Sequence, residues 1–126
     1  MNDSQVEQEI QSKGLTAPRI TPDDLQNNIV KAVYFTASEG ILGAQLNGEI
    51  DCQVANSEHE LLTFCVLTLR NGFTVTGESA CASPENFDAE LGRKIARQNA
   101  EQKIWPLMGY ELKCRLAAEE SEETHL

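Results

Sequence analysis

No apolar run in the chain reaches the roughly 18 residues that a bilayer-crossing helix requires, so a membrane-spanning role is not expected. The opening Met1-Asn2-Asp3-Ser4-Gln5 has neither the basic flank nor the apolar stretch of a secretory signal, which predicts a cytoplasmic protein. Histidine is scarce: His59 and His125 both sit in polar surroundings with no second ligand at helical or turn spacing. Cys52, Cys65, Cys81 and Cys114 form no CxxC pair, and a metal site is not expected. GxSxG, P-loop, GxGxxG and HExxH patterns are all missing, and the reading is of a protein that is not an enzyme and carries no cofactor. Positive charge is also short. Ten Lys and Arg face twenty Asp and Glu, for a net charge of −10. Duplex DNA and anionic membranes are repelled by such a surface taken as a whole.

What is present is an ordinary soluble composition, with 40% apolar and 24% charged residues over 126 positions, enough for one domain with its own core. The expected organisation is a flexible polar arm at 1–19, a single domain at 20–117 and an acidic disordered tail at 118–126. Val6 and Ile10 mark at most one or two weak helical turns in the arm. Order is expected from Thr21-Pro22-Asp23-Asp24, where Thr21 caps, Pro22 takes a position whose N–H is not needed, and Asp24 completes a capping box. Leu25, Ile29 and Val33 at four-residue spacing predict one buried helical face fading into Tyr34-Phe35-Thr36. Gly40, Gly43 and Gly48 punctuate the stretch from Ser38 to His59, with a turn at Asn47-Gly48 and short strands around 44–46 and 50–54.

The strongest local signal is a β-hairpin. Residues 61–69 and 73–78 flank Asn71-Gly72, a pair suited to a type I′ turn. A two-residue turn places Phe64, Val66, Phe73 and Val75 on one face, and Cys65, Leu67 and Leu69 on the other with Thr74 and Thr76. A long helix is expected from about Phe87 to Trp105, with Phe87, Leu91, Ile95 and Gln102 along one side. Pro106 ends or kinks it, and a second helical segment runs over 107–118. Gly92, Ala96 and Ala100 form a stripe of small residues that lets another backbone come close, within the chain or across a homo-oligomer. The fold class read from these elements is α+β: a small antiparallel sheet built round one hairpin, packed by the long C-terminal helix and an N-terminal helix.

One segment is richer in binding chemistry than the rest. A strand end carrying Ser79, a polar loop with Ser83 and Asn86, and a helix entry at Phe87 converge, and exposed N–H groups there attract anions. Arg93 and Arg97 follow on the first turns of the helix, one turn apart and near its positive end. An aromatic ring, hydroxyls, an amide and two guanidinium forks are the set that stacks a base and grips a phosphate. The plainer reading stands beside it. Glu90, Arg93, Arg97 and Glu101 also make a surface ladder of ion pairs, and Phe87 also fits as a core residue at the helix entry.

The long stretch Leu62-Thr63-Phe64-Cys65-Val66-Leu67-Thr68-Leu69-Arg70-Asn71-Gly72-Phe73-Thr74-Val75-Thr76-Gly77-Glu78-Ser79-Ala80-Cys81 resembles a widespread family of small phage proteins of the gp-forty-nine type. Ser83-Pro84-Glu85-Asn86-Phe87-Asp88 and Lys103-Ile104-Trp105-Pro106-Leu107-Met108-Gly109-Tyr110 carry the same resemblance, which covers roughly residues 20–116. That family is similar in turn to the Thoeris anti-defence proteins of the first type. These sequester cyclic ADP-ribose-type immune signals without cleaving them. The resemblance implies a sponge acting in the host cytoplasm, which denies the signal of a TIR-domain protein to its effector. No ligand residue carries over position by position, so Ser79, Ser83, Asn86, Phe87, Arg93 and Arg97 rest on their chemistry alone.

Two functions from different classes compete. One is a binding module for a small phosphorylated nucleotide. The other is an acidic protein that inhibits or modulates a host protein by direct binding, as a crude DNA mimic would. A mimic needs its carboxylates in a row over one face. Asp23, Asp24, Glu49, Asp51, Glu58 and Glu60 are scattered instead, which favours the first reading.

Overall fold

A computed structural model describes residues 2–15, 17–48 and 57–124. The fold is α+β. Three antiparallel strands lie in the order β1-β2-β3: β1 is Ile29–Thr36, β2 Leu62–Leu69 and β3 Thr74–Ala80. Around them are helices α1 (Asp3–Ser12), α2 (Pro22–Asn27), α3 (Ala37–Leu46), α4 (Ala89–Gln102) and α5 (Ile104–Thr124). The core lies between one sheet face and α4. It consists of Cys65, Leu67, Leu69 and Val75 below, Ala96 and Ala100 above, and Leu25 and Ile104 closing one end. Burying a Leu or Ile side chain completely stabilises a fold by about 1.5–3 kcal/mol. Leu25, Leu67 and Ile104 are the largest residues so placed.

The stripe of small residues makes this packing possible. Gly92, Ala96 and Ala100 are the buried positions of α4. A Cβ built on Gly77 of β3 would come within 2.1 Å of the Ala96 carbonyl oxygen and 2.3 Å of the Ala100 amide nitrogen. Helix backbone thus rests on strand backbone with nothing between them. The stripe is filled inside the chain and offers no reason for a homo-oligomer. Leu91 and Ile95, read along one side of the helix, are 53% and 39% exposed, because the close approach turns the small residues to the sheet and the large ones away.

The N-terminal half corrects the expectation of one helix through Val33. The capping box at Thr21 and Asp24 forms in both directions, but the helix stops after Asn27. Ile29–Thr36, rich in β-branched and aromatic residues, becomes an edge strand paired to β2. A spacing of four fits a strand as well as a helix. A bulge between Ile29 and Lys31 then puts Ile29, Ala32 and Tyr34 on the core side and leaves Val33 outside, 41% exposed. Thr36 ends the strand and caps α3, donating its N–H to the Glu39 carboxylate at 3.0 Å and accepting from the Glu39 N–H at 3.2 Å. The strand expected around 44–46 is therefore helix, and Gly48, at φ +69°, lies just past its end. The other expected strand, around 50–54, lies outside the described residues.

The hairpin forms one residue out of the expected register. Leu67 pairs with Val75 and Thr68 with Thr74, and Leu69 donates its N–H to the Phe73 carbonyl at 2.8 Å. Three residues, Arg70, Asn71 and Gly72, make the turn, with Gly72 at φ +88°. A shift of one residue exchanges faces. Val75 joins Cys65, Leu67 and Leu69 in the core, and Phe73 is left 56% exposed at the tip. The helix therefore packs on the Cys65 face and not on the Phe64 face. On that second face Phe64 stacks on Phe35, with ring centroids 5.5 Å apart, and Gly40 of α3 lies against the Phe35 ring.

The expected break near Pro106 occurs at Lys103. Proline interferes with the carbonyl four residues earlier, here that of Gln102, so α4 stops there and Pro106 falls in the first turn of α5. α5 continues as helix to Thr124, through the acidic run. At the other end, Asp3–Ser12 of the arm is helical, with an Asn2–Gln5 capping box and no buried residue. Both oxygens of Glu7 accept from Arg19, one of them at 2.7 Å, which ties α1 to the segment before α2.

Candidate functional site

The six candidate residues fall into two groups around α4. Ser79 lies opposite Thr63 in the β2–β3 ladder and is half-buried. Gly92 sits over the same threonine. A Cβ there would meet the Thr63 hydroxyl at 3.2 Å and the half-buried Phe87 ring at 3.9 Å. Phe87 thus lies half-buried beside Gly92 at the helix entry. Ser83 and Asn86 bracket a short 3-10 turn over Pro84–Asn86. The Ser83 carbonyl accepts from the Asn86 N–H at 3.0 Å and from the Cys81 thiol at 3.2 Å, and the Asn86 side chain is exposed. The helix N-terminus is already answered from within the chain, since the Asp88 carboxylate accepts from the Leu91 N–H at 3.1 Å.

Arg93 and Arg97 form the second group. α4 begins at Ala89, so Arg93 opens the second turn and Arg97 lies mid-helix, beyond the first turn where the helix dipole acts. Arg97 is one-third exposed and held from three elements. Its Nη2 donates to Gln26 Oε1 of α2 at 3.0 Å, its Nη1 to the Tyr34 hydroxyl of β1 at 3.4 Å, and its Nε to Glu101 at 3.4 Å. The Gln26 amide donates to the same Glu101 carboxylate. The Tyr34 oxygen and then the Glu101 charge hold the guanidinium above its ordinary pKa, against the effect of burial. Cys65 lies beneath this group, and burial pushes its thiol up.

Three bonds leave Arg97 two of its five N–H groups for a ligand. Arg93 is exposed and makes no hydrogen bond or ion pair with any described residue. The ladder read from the sequence is only partly built: Glu90 pairs with Lys94 at 3.3 Å and leaves Arg93 alone. Residues four apart on a helix present their Cβ atoms about 5–6 Å from each other, so a fixed fork and a free one stand side by side. Tyr34 and Gln26 were not legible as part of this site. They lie 63 and 71 positions from Arg97, and Tyr34 reaches it only because the bulge in β1 turns it inward.

Among the described residues two hollows stand out, and none of the six candidates lines either. The smaller, about 370 Å³, separates α1 from α2 and Trp105. The larger, about 810 Å³, lies between α5 and the hairpin tip. Among the described residues no group of three or more His, Cys, Asp or Glu is placed to hold a metal ion. No helix among them is long and apolar enough to cross a membrane.

A family model for the phage protein family named after N4 Gp49 and phage Sf6 gene 66 matches residues 20–116. The chain belongs to that family. The match takes in α2 through the first half of α5, and therefore the sheet, both arginines and the loop before α4. No curated protein and no solved structure matches the chain. Family membership makes it a phage protein.

Proposed function

We propose that this phage protein binds a small phosphorylated nucleotide on the Arg93–Arg97 face of α4 and sequesters it without catalysis. The observation that carries the reading is the contrast between the two arginines. Arg97 is immobilised by Tyr34, Gln26 and Glu101 yet keeps two donors, and Arg93, one turn away, has no partner among the described residues. An acidic chain of net charge −10 has ample carboxylates with which to neutralise an arginine, and this one is left open. A fixed guanidinium binds a phosphate with little loss of side-chain entropy, and a free one closes over it. Within the resemblance drawn from the sequence, the ligand class is a cyclic ADP-ribose-type signal. Its capture in the host cytoplasm blocks anti-phage defence.

A panel of cyclic nucleotides and cyclic ADP-ribose isomers, tested by thermal shift, examines this reading. A ligand that binds only the folded state at a hundred times its Kd adds about 2.7 kcal/mol of stability, which is readily seen as a rise in Tm. At least one phosphorylated compound should give that rise and be recovered chemically intact. No rise with any member contradicts the binding. A cleaved product contradicts sequestration.

A further inference from the structure

The larger hollow, between α5 and the hairpin tip, contains none of the groups assigned to nucleotide binding. Its volume of about 810 Å³ falls within the roughly 300–1,000 Å³ usual for small-molecule sites. One wall is the hairpin, where buried Leu69 leads out to Phe73. The other is α5, through Leu107, Met108 and Leu112. Phe73 and Leu107 are 56% and 41% exposed, so apolar surface on both walls stays open to water. Covering it would be favourable.

Three of the chain's five arginines, Arg19, Arg70 and Arg115, also line this cleft. Two are neutralised, Arg19 by Glu7 and Arg115 by Glu111 at 2.7 Å. Arg70 is not. Its backbone N–H donates to the Asn28 carbonyl at 3.0 Å and its Nε to the Asn27 carbonyl at 2.7 Å, and it has no carboxylate partner among the described residues. The Nε bond fixes the guanidinium and leaves the edge that bears both Nη groups for a ligand. Beside it, Asn28 accepts from the Arg70 N–H through Oδ1 at 3.3 Å, and its own amide donor has no partner among the described residues.

We propose that the cleft binds a small amphipathic monocarboxylate, with its acid group on the Arg70 fork and its apolar body against Phe73, Met108 and Leu112. A guanidinium edge with two free nitrogens matches a carboxylate, whose two oxygens accept parallel N–H groups. A phosphate dianion fits less well. The carboxylates of Asp24 and Glu111 line the same cleft, and they repel a second negative charge while one fork balances the first. Fatty acids and aromatic acids share the required chemistry and differ in the shape of the apolar body. None of these residues belongs to the Arg93–Arg97 face, so the two sites are read by different ligands and different variants.

Titration of the isotope-labelled full chain, followed by NMR, tests it with octanoate and hydrocinnamate as probes. At least one acid should shift the Arg70 Nε–H and Met108 methyl resonances along a single saturable curve, and the tighter of the two tells whether the body is chain or ring. Octanol and inorganic phosphate each carry half of the chemistry and should bind about tenfold more weakly or worse. Arg70→Gln should weaken the better probe by roughly ten- to a hundredfold. Arg70 also ties the hairpin to α2, so Phe73→Ala, at an exposed side chain, is the second variant, and both melting curves are recorded. It should weaken the same probe about fivefold or more. No saturable shift with either acid overturns the proposal. So does octanol or phosphate binding as tightly as the acids, or an affinity unchanged in either folded variant.

Discussion

A Cβ at Gly77 would lie 2.1 Å from the Ala96 carbonyl oxygen, and both neighbours at that spot are helix backbone that cannot turn aside. Gly77→Ala must therefore lift α4 off the sheet or distort β3. Overpacking of this kind commonly costs about 1–3 kcal/mol, and about 3 kcal/mol or more is expected where backbone meets backbone. Gly92→Ala should be milder, about 1 kcal/mol, because its contact at 3.2 Å is with the side-chain hydroxyl of buried Thr63 rather than with backbone and needs only a small shift. Urea unfolding of the two variants checks the order. Equal losses would mean that the helix does not rest on Gly77. The sequence showed the stripe of small residues on α4 but not its counterpart, since a lone glycine inside a strand pattern does not say which backbone approaches it. Phe73 was misplaced for a related reason. Asn71-Gly72 marks a turn unambiguously, but Arg70 sits inside the turn too, and that one residue decides whether Phe73 is core or tip.

Among the elements, α1 is held by one ion pair and buries nothing, so its attachment should track the charge of Glu7. Hydrogen bonds from Arg19, then from Gln11, bring the Glu7 pKa from 4.5 to about 2. A carboxylate whose pKa is lowered on folding contributes stability above its unfolded value, here above about pH 4.5. That contribution is lost as pH falls through about 2. A carbon-detected NMR titration should find the Glu7 midpoint near 2, and Arg19→Ala should return it to the ordinary carboxylate range. A midpoint between about 4 and 5 in the wild type would mean that the pair does not persist in solution. The elements that could be read from the sequence were those with local punctuation: the capping box at Thr21, the Asn71-Gly72 turn, and the proline that separates α4 from α5. β1 was hidden because Ile29 and Val33 satisfy two periodicities at once, and only pairing with β2 selects the strand. The continuation of α5 through the glutamates was hidden because an acidic run reads alike as tail and as exposed helix.

For the molecule as a whole, a net charge of −10 sharpens the meaning of a basic group left unpaired among the described residues. Arg97 is built into the fold, so replacing it disturbs three elements as well as any ligand, and its loss alone would be ambiguous. Arg93 has no such ties and separates the two roles. Arg93→Ala should leave stability within about 0.5 kcal/mol of wild type, as surface changes away from packing usually do. A hydrogen-bonded charge pair to phosphate contributes about 1.5–3 kcal/mol, so the same change should weaken nucleotide binding by roughly ten- to a hundredfold. The measurement is a calorimetric titration of the nucleotide with the largest thermal shift into wild type and Arg93→Ala, with both melting curves recorded. The account predicts saturable binding to wild type, a loss of that size in the variant, and superimposable melting. Equal affinities in the two proteins would contradict it.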